Sequence, residues 1–165
     1  MMIMKKLSLP INVISVFLCG LVVQMSYEAS GHAAWSLLIS AVRQSPWETV
    51  KPFGLVFIMW SFIELSWLRP HLLRFVCARM TALLFFVPAA CILLCTAPAL
   101  CRDEWFRSGV ILLCISAAEI LQTVIYRSGR RIELFFIPLL AAFAVIFFSF
   151  LFCTFYPPDM LFFAS

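Results

Sequence analysis

Two carboxylates stand inside long apolar runs of this 165-residue chain, Glu64 and Glu119, the second followed by Gln122 at the i+3 position. A carboxylate in hydrocarbon is expensive and usually faces a protein interior or a water-filled cavity, so each is a functional candidate. The chemistry such a pair offers is proton or cation handling. The plainer reading is an ion pair with Arg69, Arg74 or Arg127, whose long stems reach along a helix to the interface. A second polar set gathers at Tyr27-Glu28-Ala29-Ser30-Gly31 and at Ser45-Pro46-Trp47-Glu48-Thr49-Val50-Lys51. Here Glu28 or Glu48 offers an acid or base, or simply pairs with Lys51. If the turn at Pro46 opens a helix, Glu48 lies in its first turn, where the helix dipole favours a carboxylate. Trp47 fits an interfacial aromatic anchor.

The elements that must position these residues follow from composition. Apolar residues make up 64% of the chain and charged ones 12%, with 18 Phe and a mean hydropathy of +1.06, well outside the soluble range. A helix needs about 20 apolar residues to cross a bilayer core. Stretches of that kind fall at 7–25, 52–68, 80–100, 108–126 and 134–155. The expected fold is therefore all-α, a polytopic transmembrane bundle of about five helices in a single domain, 1–165, with a loop over 26–51. Lys and Arg favour the cytoplasmic side of short loops. An N-inside arrangement places Lys5, Lys6, Arg69, Arg74, Arg79, Arg127, Arg130 and Arg131 inside, and Arg43, Lys51, Arg102 and Arg107 outside. Lys5 and Lys6 before an apolar run, with Ala33 and Ala34 downstream, also have the parts of a secretory signal. The run is long for one, so an uncleaved helix is expected.

Other classes find little support. The charge of +4 is spread between apolar runs rather than gathered in a patch, so no nucleic-acid partner is expected. The seven cysteines show no C-x-x-C spacing and read as small apolar fillers, not as a metal site. No cofactor motif is legible, and neither a nucleophile elbow nor a phosphate-binding glycine loop is present. His32 and His71 fall on opposite sides of the membrane. Pro88, Pro98 and Pro138 lie in apolar runs, where each removes a backbone donor.

Three motifs resemble those of an uncharacterised family of small bacterial multipass membrane proteins, a domain of unknown function. They are Tyr27-Glu28 with Ser30-Gly31, Ser45-x-Trp47-Glu48 with Lys51, and Phe155-Tyr156-Pro157-Pro158. Ala29, Thr49 and Arg43-Gln44 depart from the tryptophan, histidine and Asn-Glu usual in that family. The resemblance implies a bacterial inner-membrane location and a polar site, and carries no reaction. Under the N-inside topology all three motifs emerge on the outer face, where Glu28, Trp47, Glu48, Lys51 and Tyr156 are expected to converge. The functional readings are a transporter-like protein and an accessory subunit, with lipid and a second copy or partner membrane protein as companions. The alternative is a membrane-embedded enzyme acting on a lipid or isoprenoid head group.

Overall fold

A computed structural model of the chain describes residues 2–30, 45–68, 71–96, 103–128 and 132–155, without the side chains of 2–8, 27, 28, 67, 68, 133, 151 and 153–155. Five α-helices account for almost all of it: α1 (Met2–Ala29), α2 (Pro46–Leu68), α3 (Leu72–Thr96), α4 (Glu104–Arg127) and α5 (Phe136–Phe155). A 3-10 turn, Ile132–Phe135, leads into α5. Within α1 to α4, the stretches Leu9–Ser26, Pro46–Ser66, Leu72–Thr96 and Glu104–Arg127 are long and apolar enough to cross a membrane. The described apolar part of α5, Phe136–Phe150, is shorter.

Helix starts are set by local chemistry. In α2 the Ser45 hydroxyl accepts the Glu48 backbone N–H at 3.3 Å, and Pro46 occupies the first helical position, the pairing that suits a helix N-terminus. Glu48 consequently lies in the first turn. In α4 Asp103 accepts the Trp105 N–H at 3.2 Å, while Glu104 in the first turn and Arg127 in the last suit the helix dipole. Two spans begin earlier than hydropathy alone implies. α2 starts at Pro46 rather than at 52, and α3 starts at Leu72 rather than at 80. In both cases charged residues that hydropathy assigns to linkers lie within the helix, because their partners are inside the bundle.

Antiparallel neighbours α1 to α4 form a ring: α1 packs on α2 and α4, and α3 packs on α2 and α4. α5 lies outside this ring against α3. Lipid gives apolar helices little reason to associate, so close packing must supply it. Gly20 of α1 lets the Phe53 ring approach until a Cβ there would stand 2.2 Å from Phe53 Cδ1. Gly54 does the same for Phe150 of α5, whose Cζ would meet a Cβ at 2.9 Å. The core between the helices is aromatic: Phe17 stacks on Phe53 at 6.0 Å and Phe57 on Phe86 at 6.1 Å. Hydroxyls within the apolar spans bond back to their own helices. Ser61, Ser116, Ser149, Thr81 and Thr123 each donate to the carbonyl four residues earlier.

Residues 31–44, most of the expected loop over 26–51, lie outside the described residues. The described cysteines, Cys19, Cys77, Cys91, Cys95 and Cys114, are free thiols.

Gly20→Ala is expected to lower stability by about 1–3 kcal/mol through overpacking against Phe53. Gly109→Ala, which meets nothing within 4 Å, should leave stability unchanged or raise it by up to about 1 kcal/mol. Unfolding of both variants in the same detergent checks this; equal effects would contradict the packing role of Gly20.

Candidate functional site

Among the described residues, apart from the charges at helix ends, the ring holds two polar centres, both involving α2 and separated along it. The larger one is built on Arg79. Because α3 begins at Leu72, Arg79 sits two turns inside the helix and is 5% exposed. A guanidinium cannot shed its proton in a protein, so every N–H it buries needs an acceptor. Four acceptors come from two neighbouring helices. Nη1 donates to Glu119 Oε1 at 2.6 Å and to Gln122 Oε1, both on α4. Nε donates to the Ser61 hydroxyl at 2.7 Å, and Nη2 to the Phe57 carbonyl at 3.3 Å, both on α2. Glu64 Oε2, also on α2, lies 3.5 Å from Nη1. The guanidinium carbon stands 3.7 Å from the centroid of the Phe57 ring, a cation–π contact strengthened by desolvation.

Among the described side chains of α1, Asn12 joins the network. Asn12 donates from Nδ2 to Glu64 Oε1 at 3.0 Å and accepts the Trp60 indole N–H at 3.1 Å. Buried and half-buried side chains from all four ring helices thus form one connected network. Its charges do not balance: Glu64 and Glu119 face one guanidinium, leaving one formal negative charge among the described residues. Glu64 Oε2 accepts no hydrogen bond from them.

The structure brings Glu64, Glu119 and Gln122 together. Among the described residues Arg79 is a cationic partner of both carboxylates, while Arg69, one of the arginines that sequence spacing suggests, lies outside the described residues. Arg74 lies in the first turn of α3 and Arg127 in the last turn of α4, whereas Arg79, which hydropathy places in a linker, is the residue held between the carboxylates. Asn12, Trp60 and Ser61 complete the set.

The second centre is Glu48 and Lys51 at the start of α2. Lys51 Nζ donates to Glu48 Oε2 at 3.0 Å, with the lysine 0% exposed. Ser45 and Thr49 are buried beside them in sequence, and Thr49 donates to the Ser45 carbonyl at 3.0 Å. Pro52 provides no N–H for the Glu48 carbonyl. Trp47 packs its ring on Phe150 of α5 at 5.2 Å between centroids. Glu28 lies in the last turn of α1, with its side chain outside the described set, and Tyr156 is outside the described residues altogether. Among the described residues, therefore, the expected outer cluster reduces to Glu48, Lys51 and Trp47.

Ser61 follows Lys51 by ten residues, about 15 Å along the helix. Between the two centres lie Phe53, Phe57, Phe86 and Leu83, all fully or almost fully buried. No group of three or more His, Cys, Asp or Glu able to hold a metal ion occurs among the described residues. Comparison with protein-family models, with curated proteins and with solved structures finds no match.

Arg79→Leu is expected to destabilise the fold by about 3–5 kcal/mol, the usual effect of leaving a buried partner charge uncompensated. Combining it with Glu64→Leu and Glu119→Leu should recover much of that loss. Equilibrium unfolding in mixed micelles measures both, and a triple variant no better than Arg79→Leu would contradict the pairing. Lys51→Met should be similarly damaging alone and less so with Glu48→Met.

Proposed function

We propose that this chain is a transporter-like integral protein of a bacterial inner membrane, of the small multipass kind its motifs resemble, whose interior network exchanges one proton. The observation that carries this reading is the charge count: two carboxylates and one guanidinium, on three different helices, inside a bundle of membrane-spanning length. An uncompensated charge in a low-dielectric interior calls for a counter-charge, and a proton is the smallest that fits between groups already in contact.

Glu64 lies four residues, about 6 Å, from the end of α2, and its side chain is the least buried of the three charged groups. Toward the other end the path meets the packed Phe53, Phe57 and Phe86 rings. A network placed near one end of the bundle and closed off by a side-chain layer toward the other suits alternating access. The same closed layer favours the second reading, an accessory subunit whose polar centres fix helix pairing.

Vesicles containing the reconstituted chain and a trapped pH-sensitive dye discriminate between them. Under an imposed membrane potential the wild type should carry protons across. Glu64→Gln and Glu119→Gln should each abolish the flux, because the remaining carboxylate is balanced by Arg79. No flux from the wild type would overturn the transporter reading in favour of the accessory one; flux surviving in both variants would overturn the network's part in it.

A further inference from the structure

We infer that the cleft between α4 and α5 seats one anionic phospholipid, its acyl chain against the helices and its phosphate at Arg127. α4 and α5 both pack on α3, and the space left between them is a cavity of 890 Å³, within the range of about 300–1,000 Å³ typical of small-ligand sites. Thr81 of α3, Val124, Ile125 and Ser128 of α4, Phe135 of the 3-10 turn and Leu139 of α5 line it. The two hydroxyls on this wall are turned away from a ligand: Thr81 donates to the Cys77 carbonyl and Ser128 to the Ile125 carbonyl. The rest of the described lining is apolar and suits a hydrocarbon chain.

Charge selects the head group. The cleft opens at the end of the bundle where α4 finishes, and Arg127, exposed in the last turn of α4, is adjacent in the chain to the lining residue Ser128. Lys5 and Lys6 in the first turns of α1 and Arg74 in the first turn of α3 belong to helix ends on this same side. Basic residues beside a cleft between membrane helices are the pattern that recruits anionic lipid head groups. A zwitterionic lipid offers the same chains without the net charge. The inference rests on membrane embedding and not on proton exchange, so either can fail alone.

Native mass spectrometry of the full chain in detergent, with equal amounts of phosphatidylglycerol and phosphatidylcholine, tests it. The expected result is one phosphatidylglycerol bound in preference to phosphatidylcholine. Arg127→Ala should weaken that binding about fivefold, the worth of one basic side chain near an anionic surface, and leave phosphatidylcholine unaffected. Val124→Trp, which fills the cleft, should reduce binding of both lipids. Val124 is 57% exposed and Arg127 is exposed as well, so both variants should unfold with the wild type. Equal binding of the two lipids by the wild type, unchanged lipid binding in either variant, or a lipid-free dimer would overturn the assignment.

Discussion

A permanently charged guanidinium buried among apolar helices is the constraint around which this small bundle is organised. Arg79 presents its N–H groups where hydrocarbon and aromatic rings would otherwise be the only neighbours. Each must be answered by an acceptor on another helix, because the backbone acceptors of α3 are already committed to their own ladder. α4 answers with Glu119 and Gln122, and α2 with the Ser61 hydroxyl and the Phe57 carbonyl. Once those bonds are made, the rotation and axial register of three helices are fixed together. Asn12 extends the same requirement to α1, since it satisfies Glu64 and Trp60 at once.

Apolar packing completes what the polar network begins. Lipid solvates Leu and Phe as well as a protein interior does, so specificity has to come from shape and from hydrogen bonds. The glycines at positions 20 and 54 admit Phe53 and Phe150 at distances that any side chain would forbid. The resulting aromatic layer separates the Arg79 network from the Glu48–Lys51 pair. These centres differ in kind: Glu48 and Lys51 balance each other within one helix turn, whereas among the described residues the Arg79 network carries one carboxylate more than its cation can match. Proton exchange is proposed for the Arg79 network on that difference.

Much of the architecture is legible in the residues. The long apolar runs specify helices and a bundle, and Glu64, Glu119 and Gln122 stand out because carboxylates and amides are rare in such runs. Arg79 is harder to read, since it follows Arg69 and Arg74 and so resembles the last cation of a linker. The signal that would have found it is Pro70: a helix starting just after that proline contains Arg79 seven residues beyond Leu72, flanked by Phe75–Ala78 and Met80–Val87. Similarly, Ser45-Pro46 marks the start of α2 by capping chemistry, although hydropathy rejects Glu48 and Lys51 as helix interior. Hydropathy counts each charge as exposed, and fails wherever two charges are buried as a pair. Asn12 and Ser61 carry no such signal, because single polar residues are common in membrane helices and their importance depends on tertiary contact.

Solid-state NMR of the chain in lipid bilayers, with labelled arginine side-chain nitrogens and glutamate carboxyl carbons, measures the central contact directly. Dipolar couplings from Arg79 to both Glu64 and Glu119, with the guanidinium protons protected from exchange with water, are the expected result. An Arg79 side chain coupled to neither carboxyl and exchanging freely with solvent would contradict the account.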